Sequence, residues 1–410
     1  MSKEKPRVVF LTDDKGGCMY YRGWMPMAHL SDRGLIHGSV TNTLPDYAFL
    51  HGSSDERKVD VIGIQRPMSS KVCEVIERWK PLIYIDLDDN FFDLGPLNPC
   101  WHDIEPYKQK IGNDPLESMK RVLRDAFTVT VSTPQMAEAL SLHCGRPVSN
   151  THVIPNAVYQ VVSREEIAKQ RHGMLRERPL TIGWWGGAHH YEDFIGLDHQ
   201  LAEFVKRHKE NVNFVCMGWA PSELIETGKV TMFPWAKINR FYKTLFSLEL
   251  DVCLGPLVKN AFSVCKSNIK YLETGMFART FVGYNHPVFA NVKNGETGFL
   301  TDGPDELVEV LEDLVAHPEK TVDIGKAAYL DVMHNHLIEH REDLWMKTFE
   351  DVLYLGEKWQ YTLPEAEHNE FIEKILPQQK ELLGIDEILE DKSSLGEPDR
   401  LMTMRKFRRK

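Results

Sequence analysis

The chain contains few of the features that mark disulfide-rich, zinc-binding or membrane proteins. It has seven cysteines in 410 residues, an odd and scattered set without a CxxC pair. This argues against a disulfide framework or a zinc knuckle and favours reduced thiols in the cytoplasm. Because no run of about 18 apolar residues is present, we expect no membrane span. The polar first residues lead straight into a strand-like segment, so we also expect no secretory signal.

Basic residues are outnumbered by acidic residues, 49 to 60. The formal net charge is −11, which argues against broad, non-specific nucleic-acid binding. A local basic patch nevertheless occurs in the last eleven residues, formed by Arg400, Arg405, Lys406, Arg408, Arg409 and Lys410. The remaining composition, with 42% hydrophobic and 27% charged residues, is that of a folded protein of two or three domains.

Short apolar runs alternate with amphipathic stretches in two successive series. They predict strands at 8–12, 59–65, 81–88 and 128–132, and again at 180–185, 212–217, 252–257 and 279–284. The runs are continuous, as is typical of strands covered on both faces of a parallel sheet. Two βαβ series therefore predict an α/β protein with two doubly wound, Rossmann-like domains that face a central cleft.

Breaks in this pattern set the predicted domain boundaries. The predicted parts are domains at 1–170 and 171–340, an amphipathic helix at 341–358, and a peripheral tail with the basic end at 359–410. Within the second domain, a helix is predicted at 301–315, with Asp302 as its cap.

Glycine pairs follow the first strand of each series. Gly16 and Gly17 stand after one, and Gly186 and Gly187 stand after the other, at the positions where open α/β sheets bind ligands. Glycines let the backbone approach a ligand closely and leave amide groups free to donate hydrogen bonds. Arg22 lies about one turn into the helix that follows the first pair. The plain alternative is an ordinary strand-to-helix turn.

Three carboxylates, Asp86, Asp88 and Asp89, stand at the end of the third strand. Their mutual repulsion costs stability unless a cation, a donor group or a substrate compensates it. Three interpretations stay open: a metal-binding DxD motif, a metal-free carboxylate that orients acceptor hydroxyls, or helix capping and loop solvation. We predict the metal-free site, with no metal ion bound.

The segment from Lys266 to Glu273 combines a helix start with charge. A helix that begins near Ser267 would direct its first amide groups into the cleft, where Lys266 is well placed for a diphosphate. Lys270 and Glu273 share one helix face. Two interpretations stay open: Lys270 and Glu273 form a surface ion pair, or Glu273 accepts hydrogen bonds from both ribose hydroxyls of a nucleotide.

These segments resemble the GT-B glycosyltransferases of family four, also called group 1. Residues 267–275 and 280–283 are similar to the donor-site signature of that family, in which a helical Glu precedes a Gly and a strand. Residues 294–300 resemble its NGxxGxL turn, 153–157 resemble its VIPNG element, and 131–133 resemble its VSxxxxxxL step. The motifs occur in the order of the family, and the resemblance spans about residues 7–355.

The resemblance implies a fold and an activity. It implies the GT-B fold, a last helix that crosses back to the first domain, and an enzyme that uses a nucleotide-diphosphate sugar, with a UDP-sugar favoured. It also implies retention of the anomeric configuration and no obligatory metal or other cofactor. Glu273 would bind the ribose, Lys266 the diphosphate, and the loop at Gly16 and Gly17 would face the donor phosphate. The other predicted donor-binding residues are Gly186, Gly187, Ser267, Asn268 and Lys270.

The first domain is predicted to bind the acceptor, and the second is predicted to bind the donor. Asp88 would orient the acceptor hydroxyl or take its proton, and Lys266 would neutralise the departing diphosphate, so these two are the predicted catalytic residues. Arg22, Asp86 and Asp89 are the predicted acceptor contacts.

Two departures from the family point to a divergent branch. Cys265 stands where the family often has a first Glu, and Asp88 falls where it usually has a His. Residues 20–22 and 85–89 look most like virus-encoded members, some of which glycosylate hydroxymethylated bases in DNA. We therefore expect a phage enzyme that acts in the host cytoplasm on a hydroxymethylated pyrimidine of duplex DNA. The alternatives are a polysaccharide, lipid or protein acceptor, an epimerase or phosphorylase, and a non-catalytic nucleotide-sugar-binding protein.

Overall fold

Two parallel six-stranded sheets carry the described part of the chain. The computed structural model describes residues 5–42, 59–68, 70–99, 101, 115–174 and 178–358. The predicted basic patch at the end of the sequence lies outside these residues. The described residues up to Leu353 form one compact unit, and those from Tyr354 belong to a second. Both sheets lie in the first unit.

The first sheet has the strand order β2-β1-β3-β4-β5-β6, and all its ladders are parallel. Its strands are β1 (Arg7–Leu11), β2 (His37–Thr41), β3 (Val61–Gln65), β4 (Ile83–Leu87), β5 (Thr128–Val131) and β6 (His152–Val153). Gly63, in the middle of β3, pairs with Phe10 and with Tyr84. A Cβ atom there would lie 2.4 Å from the Tyr84 side chain, so this buried strand position accepts only glycine.

The second sheet has the order β12-β11-β10-β7-β8-β9 and is also parallel throughout. Its strands are β7 (Leu180–Gly186), β8 (Val212–Gly218), β9 (Val230–Phe233), β10 (Val252–Gly255), β11 (Thr280–Tyr284) and β12 (Phe299–Thr301). The predicted α/β class with two doubly wound sheets is confirmed. Strands β2, β6, β9 and β12 escaped prediction because all four are edge strands with partly exposed side chains instead of continuous apolar runs.

Helices cover the sheets between successive strands. They are α1 (Met25–Asp32), α2 (Ser70–Trp79), α3 (Pro115–Asp125), α4 (Pro134–Cys144), α5 (Arg164–Met174), α6 (Leu197–Arg207), α7 (Ser222–Glu226), α8 (Ile238–Ser247), α9 (Ile269–Met276), α10 (Pro304–Ala316), α11 (Lys320–Asn335) and α12 (Glu342–Lys358). A π-helical turn, Met19–Trp24, leads into α1. Among the described residues, none of the helices combines the length and the apolarity needed to cross a membrane.

Two helix starts differ from their predicted positions. Helix α9 begins at Ile269, two residues after the predicted Ser267. Helix α10 begins at Pro304, and the predicted cap at Asp302 is wrong because Gly303 takes the cap position. The backbone N–H of Asp302 instead donates to the Glu306 carboxylate at 2.7 Å.

The last helix packs on the first sheet. Trp345, Phe349 and Val352 of α12 are buried in one cluster with Phe10 of β1 and Tyr84 of β4. Each of these side chains is at most 2% exposed. The apolar face of the first sheet is therefore completed by residues from the far end of the described chain.

Candidate functional site

The carboxyl ends of strands from both sheets meet in one region. Thr133 Oγ1 donates to the Cys265 carbonyl at 2.9 Å, and Asn156 Nδ2 donates to Ser267 Oγ at 2.9 Å. The amide of Asn90 reaches the carbonyl of Ala261 at 3.1 Å. In open α/β sheets this is the edge where ligands bind. The structure thus brings the loops after β4, β5 and β6 onto the segment that leads into α9.

Lys266 crosses this region to the first sheet. Its Nζ lies 3.4 Å from Asp89 Oδ1 and 4.5 Å from the centroid of the Phe262 ring. The side chain is 18% exposed. Burial acts to lower the pKa of Lys266, but Asp89 and Asp193 outweigh it and raise the pKa above its ordinary value. Lys266 is therefore a fixed positive charge at the predicted diphosphate position.

Asp88 and Asp89 are bound by an arginine that the sequence analysis missed. Arg66 follows β3 directly, and its Nε and Nη2 atoms donate to Asp88 Oδ1 at 3.0 and 2.9 Å. Nη2 also donates to Asp89 Oδ2 at 3.2 Å. The signal available in the sequence was the position of Arg66 directly after a strand, because Asp88 directly follows the neighbouring strand β4.

The two carboxylates differ in their pKa values. Burial raises the pKa of Asp88, and Arg66 offsets only part of that effect. Burial also acts on Asp89, but Lys266 and Arg66 lower its pKa to about 2. Neighbouring acids with divergent pKa values are the arrangement by which one site supplies both a proton acceptor and a permanent charge.

A thiol completes this cluster. The ligand atoms of Cys18, Asp88 and Asp89 all lie within 4.8 Å of one another. The Arg66 guanidinium contacts all three side chains, so it already provides the positive charge that a metal ion would supply. Burial also raises the pKa of Cys18, so the thiol is protonated beside Arg66. The guanidinium therefore balances the two carboxylates without a metal ion.

Arg22 and Asp86 lie deeper than their predicted role requires. Arg22 Nη2 donates to Asp86 Oδ2 at 2.7 Å, and the two side chains are 1% and 0% exposed. Thr130 Oγ1 donates to the same Asp86 oxygen at 2.6 Å, and the Trp345 ring centroid lies 5.2 Å from the Arg22 guanidinium. The pair is part of the core, and direct contact of either residue with an acceptor stays a prediction.

Glu273 is enclosed by aromatic side chains from both halves. It is 5% exposed. Trp185 Nε1 donates to Oε2 at 2.7 Å, and the Tyr21 hydroxyl donates to Oε1. The hydroxyl of Tyr242 lies 2.5 Å from that of Tyr21. Burial raises the pKa of Glu273, while Lys270, Tyr21 and Trp185 act to lower it. Glu273 therefore lies between the halves, with both carboxylate oxygens engaged by protein donors.

Lys270 does not form the surface ion pair considered as an alternative. Its Nζ donates to the Trp185 carbonyl at 2.5 Å and lies 4.2 Å from a ring centroid of that residue. A second indole, from Trp184, is 4.8 Å away. Burial lowers the pKa of Lys270 to about 8. This cation is therefore held against two aromatic faces beside Glu273.

The predicted glycines and helix-start residues have mixed surroundings. Gly16 accepts a backbone hydrogen bond from Tyr20 at 3.2 Å, so the Gly16–Gly17 loop leads directly into the aromatic cluster around Glu273. A Cβ atom on Gly186 would lie 2.5 Å from the Trp184 ring, so packing alone accounts for that glycine. Asn268 stands at the cap of α9 and donates to Asn291 Oδ1 at 2.9 Å.

His189 and His190 stand shortly after Gly187, and neither was among the predicted site residues. The rings of His189 and His190 are 4.4 Å apart, and His190 Nδ1 lies 2.7 Å from Asp193 Oδ2. Burial lowers the pKa of His189 to about 3 and lowers that of His190 as well. Both imidazoles are therefore neutral near pH 7. His189 is close enough to Asp89 for the two side chains to interact electrostatically.

Comparison with known proteins identifies the fold. No protein-family model and no curated protein sequence matches the chain. Among solved structures, HepE from Anabaena in complex with UDP and glucose matches with a TM-score of 0.57 at 12% identity, covering 84% of this chain and 99% of that one. Sucrose-phosphate synthase from Thermosynechococcus elongatus matches with a TM-score of 0.57 at 13% identity, covering 85% and 100%.

A third similar structure is WaaG, a glycosyltransferase involved in lipopolysaccharide biosynthesis. Its TM-score is 0.55 at 11% identity, and the match covers 83% of this chain and 98% of that chain. Identities this low show the fold and not the activity. The predicted architecture is confirmed by them: this chain has the GT-B fold, with two Rossmann-like halves that meet at the carboxyl ends of their strands.

Proposed function

We propose that the protein is a glycosyltransferase that moves a sugar from a UDP-sugar to an acceptor hydroxyl. The observation that carries the proposal is the meeting of Lys266, before α9, with Asp88 and Asp89, after β4, between the two sheets. A cation and a carboxylate of raised pKa thus lie together at the ligand-binding edge of a GT-B fold. The similar HepE structures contain UDP, and one contains UDP-glucose.

On the donor side, Lys266 stabilises the departing UDP. The diphosphate gains negative charge as the glycosidic bond breaks, and a cation that is already in place lowers the energy of that state. In this structure Lys266 forms an ion pair with Asp89. A bound diphosphate competes with the Asp89 carboxylate for the Lys266 ammonium group. In this structure the Tyr21 hydroxyl donates a hydrogen bond to Glu273 Oε1. A ribose hydroxyl of the donor takes the place of the Tyr21 hydroxyl at that oxygen.

On the acceptor side, Asp88 orients the hydroxyl or removes its proton. Burial raises the pKa of Asp88, which strengthens its carboxylate as a base. Closure of the two halves around the ligands excludes water and so limits hydrolysis of the donor. Retention of the anomeric configuration is proposed from the resemblance to family four alone.

The acceptor class is proposed from sequence resemblance. Residues 20–22 and 85–89 resemble virus-encoded enzymes, which favours a hydroxymethylated pyrimidine in phage DNA and action in the host cytoplasm. The basic residues at the end of the sequence would then contact phosphates. A polysaccharide, lipid or protein acceptor is the alternative, as is a nucleotide-sugar-binding protein without turnover.

An acceptor panel tests the proposal. The full-length chain is incubated with each UDP-sugar and with hydroxymethylated duplex DNA, unmodified DNA, glycans, lipid-linked sugars and protein. UDP release and the mass of the acceptor are followed. We expect UDP release that depends on the acceptor, and we expect the substitution Lys266→Ala to lower turnover by about 10²–10³-fold.

Lys259→Ala is the matched control, because Lys259 is an exposed lysine close to the same segment. It should leave turnover unchanged. Equal turnover in the two variants would refute the role of Lys266. Failure of every nucleotide sugar to raise the melting temperature would refute donor binding, since a ligand of the native state stabilises it by mass action. DNA affinity that is absent even at low salt would remove the DNA acceptor.

A further inference from the structure

Arg66 holds an unusual backbone conformation at the end of β3. Its φ angle is 49°, in the left-handed region that costs energy for any residue with a Cβ atom. The backbone is fixed on both sides, because its N–H donates to the Asp86 carbonyl at 3.1 Å and its carbonyl accepts from Met68 at 2.8 Å. Strain of this kind persists where the surrounding contacts hold the residue in place.

The side chain of Arg66 organises the loop that follows β4. Beyond its bonds to Asp88 and Asp89, the guanidinium lies 5.2 Å from the centroid of the Phe91 ring. It also contacts Cys18 Sγ in the loop after β1. One cation therefore fixes three residues of a single loop and ties that loop to a neighbouring one. No second cation in the described part of the chain forms an ion pair with Asp88.

The contact with Asp88 is one-sided. Both donating nitrogens of Arg66 end on Oδ1, so Oδ2 is left clear of the guanidinium. The side chains of Arg66, Asp88 and Asp89 are 18%, 7% and 23% exposed, so the cluster reaches the space between the sheets. By contrast, the Arg22–Asp86 pair has no measurable opening to solvent. The first cluster is therefore the more accessible of the two to a bound acceptor.

We propose that Arg66 is a positioning residue for sugar transfer, holding Asp88 ionised with Oδ2 directed to the acceptor hydroxyl. The inference rests on the proposed function. Arg66 does not touch the reacting atoms, and it acts through Asp88. Two nitrogens of its planar fork hold Asp88 Oδ1 in place, and its charge favours the ionised form that can accept a proton.

The test compares Arg66→Gln with Arg66→Lys in the full-length chain, using the most active acceptor of the panel. In Arg66→Gln the positive charge is lost, so the pKa of Asp88 should rise further. Asp88 is then protonated over a wider range of pH. The acidic limb of the plot of kcat against pH should therefore move to higher pH. The groups that face Asp88 are Arg66, Asp86, Asp89, Cys18 and Arg22, with Lys266 and His189 beyond Asp89.

Arg66→Lys keeps the charge and loses the fork. Its acidic limb should stay near that of the wild type, while kcat falls because Asp88 is less well oriented. For Arg66→Gln we expect kcat to fall about 10²-fold near pH 7, with a much smaller change in the KM for the donor. Arg124→Gln is the matched control, since Arg124 is an exposed arginine with an ion pair to its sequence neighbour.

A double variant separates positioning from general stability. If Arg66 acts through Asp88, then Arg66→Gln combined with Asp88→Asn should be no slower than Asp88→Asn alone. Multiplying effects, or an Arg66→Gln profile whose acidic limb is unmoved while the protein only melts earlier, would overturn the proposal. The wild type runs in the same series, so absence of transfer there would overturn the proposed function itself and the role of Arg66 with it.

Discussion

Asp86 and Asp88 stand two residues apart at the end of β4, and each is bound by an arginine. The Asp86–Arg22 pair is closed, with side chains that are 0% and 1% exposed and with further donors from Thr130 on one side. The Asp88–Arg66 pair is open, at 7% and 18%. Position along the strand, and not residue type, thus decides which pair belongs to the core and which to the cleft.

The comparison also separates two uses of burial. The closed pair contributes to the fit of the core, because both side chains are buried and their observed partners are protein groups. The open pair has a carboxylate oxygen clear of its arginine and a second acid, Asp89, bridged to Lys266. Only the open pair can exchange partners during a reaction.

Substitution of Asp86 should give the largest effect on stability. Asp86→Ala leaves the Arg22 charge buried without its partner, which costs about 3–5 kcal/mol. Asp88→Ala should cost about 1 kcal/mol, because Arg66 keeps Asp89 as a partner and reaches solvent. Urea unfolding measures both values. Equal losses for the two variants would remove the distinction between the closed pair and the open pair.

Trp345→Ala should follow, with a loss of about 3 kcal/mol in the free energy of unfolding. The indole is 2% exposed and covers both Arg22 and Tyr84, at 5.2 and 6.3 Å, so its removal leaves a cavity over the closed pair. The adjacent Leu344 is 41% exposed and provides the control, with an expected change within about 0.5 kcal/mol. Equal losses at the two positions would contradict the packing of the last helix.

Tyr21→Phe should have a smaller effect than Trp345→Ala, and it tests the region around Glu273. Loss of the hydroxyl leaves Glu273 Oε1 without its donor and costs about 1–2 kcal/mol. If a ribose hydroxyl replaces Tyr21, the variant should bind the UDP-sugar more tightly, which a larger ligand-induced shift in melting temperature would reveal. Tyr242→Phe is the control, because it leaves the Tyr21–Glu273 bond in place. Weaker donor binding by Tyr21→Phe would show that Tyr21 holds the donor.

Much of the fold was predictable because a strand buried on both faces carries its signature locally. The apolar run at 61–65 and its neighbours need no knowledge of the rest of the chain. Edge strands such as β2 lack that signature, since solvent covers one side. The rule that ligands bind at strand ends then directed attention to Asp88, Lys266 and Glu273, which the structure brings to the region between the sheets.

The pairings within the site could not be predicted, because they join residues far apart in the chain. Arg22 is 64 positions from Asp86, and Tyr21 is 252 positions from Glu273. The sequence shows these groups but not which of them meet, so Arg22 and Asp86 carried the same interpretation as Asp89. Arg66 was missed although it directly follows β3, because no glycine pair or carboxylate stands beside it in the sequence to mark that strand end.

The last helix also has a consequence for the way the chain is made. Trp345, Phe349 and Val352 cover a sheet whose final strand ends at Val153, so the ribosome releases that sheet long before its cover exists. Roughly 200 residues must still be added, which takes about 10–40 s at ordinary rates of translation. During this interval the earliest part of the nascent chain exposes an apolar face and is vulnerable to aggregation and chaperone capture. Premature termination near residue 340 would therefore damage most severely the half that is synthesised first.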